Sequence, residues 1–253
     1  MFEAPAAEIH IVGRLDLTVE PWDWPFARAR RAEIDAHFLA VRGANEALWN
    51  GRVLMLRDPQ FDGDSLRARY FETDFASLLA WRDWGHVDRT VFNGFGMGAL
   101  RGADGVFVLG QMGNHTANAG KIYFPAGTPD PNDLRGDIVD IAASVAREVE
   151  EETGLAPSDY RAATHWHCVR VGQSIAMMRL LEVDGSADDL RQRIEQNLRG
   201  QAEPELVAMH LVRDARDFTA TMPAFVTAYI GAMTSPQLGS APSPLVGEGR
   251  GGG

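Results

Sequence analysis

The sequence is short of cysteine, long apolar runs and positive charge. One cysteine, Cys168, stands among 253 residues. It excludes an intrachain disulfide and fits a reducing compartment. No stretch is long and apolar enough to cross a bilayer, so no membrane partner is expected. The opening MFEAPAAEIHIVG carries acids and lacks the basic, apolar, cleavable pattern of a secretion signal, which points to the cytoplasm. The formal net charge of −11 argues against nucleic acid, whose backbone demands basic patches. Small anionic ligands stay open, because a bound metal offsets local charge. No internal repeat is present, which excludes solenoids.

What is there suffices for a real core. Hydrophobic residues make up 45% of the chain and charged residues 23%, which allows one large domain or two small ones. Residues 8–20 alternate like a strand, and 26–44 have helical spacing ending near Gly43. RVLMLRD and SLRARYFET flank a DGD turn and predict a hairpin. DFASLLAWRDW predicts a helix capped by Asp74. Two strands are expected within 95–112 around RGADG, and a third at KIYFPAG. A helix at 138–152 follows, its stripe formed by Ile138, Ile141, Ala142, Val145 and Val149. Paired strands at 162–171 and 173–184, the helix DDLRQRIEQNL, the strand LVAMHLV and the helix DFTATMPAFVTAYIGAM complete the pass. The pattern suggests an α+β fold with a mixed sheet. Residues 1–92 form an N-terminal extension, 93–233 the main domain, and the Gly-, Pro- and Ser-rich 234–253 a disordered tail.

The most informative stretch is REVEEETGL, residues 147–155. On a helix, Glu148, Glu151 and Glu152 stand at i, i+3 and i+4 and share one side, whereas Glu150 points elsewhere. Like charges at this spacing repel, and acids at a helix C-terminus oppose its macrodipole. Two local rules are broken together, which tends to mark function. A hard divalent cation bound by oxygen ligands resolves both conflicts. The competing explanation is a solvated acidic face.

The stretch matches the pattern R-E-U-x-E-E-x-G-U at every position, with U aliphatic, and in this the chain resembles the Nudix hydrolases. The resemblance covers about residues 95–215, including the lead-in KIYFPAGTPDP. It implies a mixed β-sheet sandwich between helices, with the extension as an added α/β piece. The first half of the motif departs: the usual spacing puts Gly at Asp133 and Glu at Val139. Gly127 is the alternative counterpart of that glycine, with six extra residues before Arg147, and Asp140 lies one position from the missing acid.

By resemblance the activity is hydrolysis of a pyrophosphate bond in a nucleoside diphosphate derivative. A nucleotide-sugar is the first guess and ADP-ribose the second. Glu148, Glu151 and Glu152 would bind Mg2+ or Mn2+, with Glu151 and Glu152 catalytic. Arg147 would fix the helix–loop geometry through a carboxylate partner, and Gly154 would allow the turn after the helix. A general base is expected further along, at Glu203 or, preferably, Glu205. The expected partner is a small nucleotide, and a homodimer stays open. A second class, a catalytically weak nucleotide-binding or sensor module, is motivated by the altered first half. A third is a structural protein whose Glu run is surface charge.

Weaker signals sit beside these. NGFGMG (93–98) lacks the following helix of a dinucleotide fingerprint and suits a strand that allows close packing. His165 and His167 would share a strand face, and as structural residues they need no metal. In the loop GNHTANAGK, Asn114, His115, Asn118 and Lys121 are within reach of a substrate, and Lys121 would stabilise a diphosphate. WDW (22–24) and WRDW (81–84) are stacking platforms or packing anchors.

Overall fold

The computed structural model describes residues 6–235. In chain order its elements begin with β1 (Glu8–Val12), β2 (Arg14–Val19), α1 (Pro25–Ala29), α2 (Arg31–Ala44), β3 (Arg52–Asp62), β4 (Ser65–Asp74) and α3 (Phe75–Asp83). Then follow β5 (Val91–Gly102), β6 (Phe107–Met112), β7 (Ile122–Tyr123), β8 (Ala126–Gly127), β9 (Leu134–Arg135), β10 (Ile138–Val139) and α4 (Ile141–Thr153). The chain closes with β11 (Arg161–Ala162), β12 (Trp166–Val171), β13 (Ser174–Val183), α5 (Ala187–Leu198), β14 (Leu206–Val212) and α6 (Ala224–Thr234). The fold is α+β with a mixed sheet between helices, as the sequence suggests.

β5 is the spine. From Asn93 onward it runs parallel to β13, while its first residues, Val91 and Phe92, pair antiparallel with β3. The expected boundary at 92/93 therefore falls inside a strand. The two halves of the chain also exchange strands. β1 crosses to pair with β12, and β10, from the far half, pairs Ile138 with Thr18 of β2. The tail from residue 236 lies outside the described residues.

Several expected elements are corrected. The strand 8–20 is two strands in different partnerships, parted at Gly13, whose amide and that of Arg14 both donate to the Asp64 carbonyl. Alternation persists through the break because both pieces are half-buried. The helix 26–44 is interrupted at Arg30, which is not helical (φ −114°, ψ 23°). The helix 138–152 starts at Ile141, because the Asp140 carboxylate accepts the Ala143 amide and caps it there. Ile138 has helical spacing yet is exposed in β10. The last helix begins only after Pro223, which sets its first turn. KIYFPAG yields two short strands, and Asp74 caps α3 through the Ser77 amide.

What positions the site is the contact between α4 and β5. Successive β5 residues face opposite ways. Gly96 and Gly98 turn toward α4, while Phe95 meets Phe225 of α6 on the other face, ring centroids 5.4 Å apart. A Cβ on Gly96 would lie 2.5 Å from Val145 Cγ2, and one on Gly98 2.5 Å from Val149 Cγ2. α4 thus presses Ile141, Val145 and Val149, all buried, directly onto the strand. Two tryptophans of the first half are packing anchors, whereas Trp49 is exposed. Trp24 and Trp81 are buried edge-to-face, and their indole N–H groups donate to the Asp88 carboxylate and carbonyl.

Gly96→Ala should cost about 1–3 kcal/mol of stability by overpacking. In urea unfolding, Gly96→Ala/Val145→Ala should lose less than the sum of the single changes. An unchanged urea midpoint in Gly96→Ala would refute the close helix–strand contact.

Candidate active site

The last two turns of α4 carry the acids. Gly154 ends the helix in the left-handed conformation (φ 74°), its amide donating to the Glu150 carbonyl at 2.8 Å. The three acids then part company. Glu152 is 4% exposed, the Glu148 side chain 15% and the Glu151 side chain 61%. Solvated surface charge would leave all three in water, but Glu152 is buried and Glu148 half-buried.

The strand β8 forms the wall they face. Gly127 lies beneath Glu148, and any Cβ there would collide with the Glu148 carboxylate. Burial pushes Glu148 up to about 7. Arg147 opposes the shift, and Glu151 and Glu205 add to it. Burial also holds Glu152 well above the usual carboxylate range, with Glu148 and Glu205 contributing and the Ala126 amide opposing. Glu152 Oε2 is buried without a hydrogen-bond partner. Glu205, just before β14, therefore reaches both carboxyls electrostatically, and its carbonyl accepts the Gly113 amide at 2.7 Å.

Arg147 organises the other side. Its Nη2 donates to both oxygens of Asp133 at 3.1 and 3.2 Å, and its Nη1 lies 2.8 Å from Glu148 Oε1 and 3.4 Å from Glu151 Oε2. Asp133, at the position where the motif usually has Gly, is buried and also accepts the Asp130 amide. Asp140 does not stand in for the missing acid. It is the N-cap of α4, about 12 Å along the helix from Glu148.

Lys121 and Gly127 line a cavity of about 270 Å3 beside the acids. Lys121 is the only lysine in the chain. His115 is not part of that wall. Its ring lies over Gly113, and its carbonyl accepts Asn45 Nδ2. His165 lies outside β12, so the two histidines do not share a strand. Their rings meet at 5.0 Å, and His167 packs on Tyr229. Sequence reasoning missed two residues. Asp133 was read only as a departure from the motif. Tyr123, whose hydroxyl accepts Asn118 Nδ2 at 3.1 Å, lies among Glu148, Glu152 and Glu205, which reinforce burial in holding its proton on.

The donor set fits a hard divalent cation: carboxylate oxygens, one of them an orphaned buried acceptor, and two acids that burial makes protonation-prone. Among the described residues no three His, Cys, Asp or Glu groups are ready-arranged around one point. Glu151 is drawn instead to Arg147.

No family model matches the chain, and no curated protein does. Solved structures similar to part of this chain include a MutT protein and two Nudix hydrolases. The MutT protein from Methanosarcina mazei Go1 is 17% identical over 56% of this chain and 92% of that one, with a TM-score of 0.36. A Nudix hydrolase from Nitrosomonas europaea is 17% identical, covering 48% and 72%, TM-score 0.31. RenU, a Nudix hydrolase from M. smegmatis, is 14% identical, covering 54% and 80%, TM-score 0.31. No helix among the described residues is long and apolar enough to cross a membrane.

The raised Glu148 gives a pH signature. Its folded form holds a proton that the unfolded chain releases near the ordinary glutamate value of 4.5. Metal-free stability should therefore fall as pH rises from about 4.5 to about 7, by about 3 kcal/mol for this group. His167, pushed down to about 4 by burial and His165, acts with the opposite sign below its ordinary 6.5. The measurement is thus the difference between wild type and Glu148→Gln in EDTA. Equal pH slopes for the two would show that Glu148 is not raised.

Proposed function

We propose that this protein is a Mg2+- or Mn2+-dependent hydrolase that cuts the pyrophosphate bond of a nucleoside diphosphate derivative, a nucleotide-sugar or an ADP-ribose-like molecule. One observation supports this above the rest. At the end of a complete R-E-U-x-E-E-x-G-U helix, Glu152 is buried with an unpartnered oxygen, and Glu148 beside it is half-buried against strand β8. Such burial of charge-bearing groups is costly unless something compensates it.

In this reading Glu148, Glu151 and Glu152 would hold the cation, which when bound would neutralise diphosphate charge and make a water at the site easier to deprotonate. Glu205, exposed and electrostatically coupled to both Glu148 and Glu152, would take the proton of the attacking water. Arg147, clamped by Asp133, keeps the end of α4 in register with the loop before it. Lys121 draws in the phosphates, whose charge the net −11 of the chain would otherwise repel.

A second reading, a nucleotide-binding module with weak catalysis, is favoured by the Arg147 guanidinium already resting against Glu148 and Glu151. Turnover separates the two. With Mg2+ and a panel of nucleoside diphosphate derivatives, wild type should release two phosphorylated products. Glu151→Gln and Glu152→Gln should each lower kcat by about a thousandfold or more, as loss of a group acting on the transition state does. Activity surviving both changes would sink the hydrolase, and tight binding without product would favour the module.

A further inference from the structure

The cavity beside the acids is built by both halves of the chain. Phe75 and Arg82 come from α3, Phe95 from β5, Lys121 from the loop before β7, and Phe225 from α6. Gly127, beneath Glu148, borders it. Its chemistry departs from that of the molecule. In a chain of net charge −11, no Asp or Glu lines it, whereas an Arg and the only Lys do. Lys121 makes no ion pair among the described residues, and Arg82 is held through Nε by Asp83 at 2.9 Å. Three phenylalanines give the space flat π faces, Phe95 and Phe225 meeting edge-to-face at 72°. At about 270 Å3 it lies at the small end of ligand pockets, which start near ~300 Å3, and suits one ring system.

We propose that this cavity is the nucleobase pocket of the substrate, and that α3, through Phe75 and Arg82, makes residues 1–92 a determinant of base preference. A base offers two faces for the phenyl rings to stack on and carbonyl edges for Arg82, which leaves Lys121 to the phosphates. A sugar needs donors and acceptors all round its ring, and this wall has no carboxylate, its uncharged polar side chains being Asn93, Asn118, Thr128 and Ser174 beside Tyr123. The position of Gly127 then places the diphosphate, attached to the base through its ribose, on the Glu148 side. The assignment rests on the hydrolase reading for the diphosphate, but not for binding of the base.

The test uses the full chain with two variants. Ala117, on the exposed loop lining the cavity, is replaced in Ala117→Trp to fill it, and α3 is altered in Arg82→Ala. With Mg2+, kcat/KM is compared among UDP-glucose, ADP-glucose and GDP-glucose, and between UDP-glucose and UDP-galactose. Arg82→Ala should change the ratios among bases by about fivefold or more and leave the sugar ratio within about twofold. A changed sugar ratio with constant base ratios would overturn the assignment. A separate arm, in EDTA, titrates UMP, AMP and GMP by calorimetry. At least one should bind wild type, and Ala117→Trp should weaken it by about tenfold or more. If wild type turns over nothing yet this arm holds, the hydrolase reading fails and the base pocket stands. If no monophosphate binds wild type, or Ala117→Trp binds it equally well, the pocket is refuted.

Discussion

Two carboxyls drawn out of water, with only Arg147 and a backbone amide to favour their charge, are the constraint around which this molecule is arranged. Glu148 and Glu152 lie at the negative pole of α4, largely out of water, with Glu205 adding a like charge. They cannot escape by a shift of the helix, because α4 is seated on Gly96 and Gly98 with no room for so much as a Cβ. The apolar contacts of Val145 and Val149 with the strand stabilise the placement that the acids disfavour. Strain of this kind, concentrated in one place and offset by packing elsewhere, is what a preorganised cation site requires.

The departures from the usual motif gain a physical meaning in the fold. The extra residues between Gly127 and Arg147 include the β9–β10 hairpin, which docks on β2 from the first half of the chain. Asp133 opens that hairpin, is buried, and grips Arg147 with both oxygens. Where a glycine would leave the loop to hold itself, a charged clamp and a borrowed strand edge hold it. The exchange of β1 and β10 between the halves makes the first 92 residues part of the architecture that steadies the acids. It also gives them a wall of the neighbouring cavity.

Much was legible because it is local. Helical spacing marked the apolar stripe of α4, although the helix begins three residues later, where Asp140 caps it. The α3 cap at Asp74 and the hairpin of β3 and β4 follow from turn and cap chemistry written in adjacent residues. The glycines of NGFGMG announced close packing without naming what approaches. Misreadings arose where a pattern ran on across a change of partner. Alternation through Gly13 hid two strands in one, and Ile138 had helical spacing while belonging to a strand.

The sequence alone determined the chemistry of the acids: which residues carry charge, that a helix sets them on one side, and that the turn after Thr153 needs glycine at 154. Periodicity within one element depends only on the backbone's own geometry, so it can be read from neighbours in the chain. Only the tertiary structure decided that Glu152 is buried and Glu148 half-buried while Glu151 is exposed, that Asp133 is the partner of Arg147, and that the charge of Glu205 acts on the pair. Burial and charge coupling are set by segments far apart in sequence meeting in space, and no local pattern carries that information.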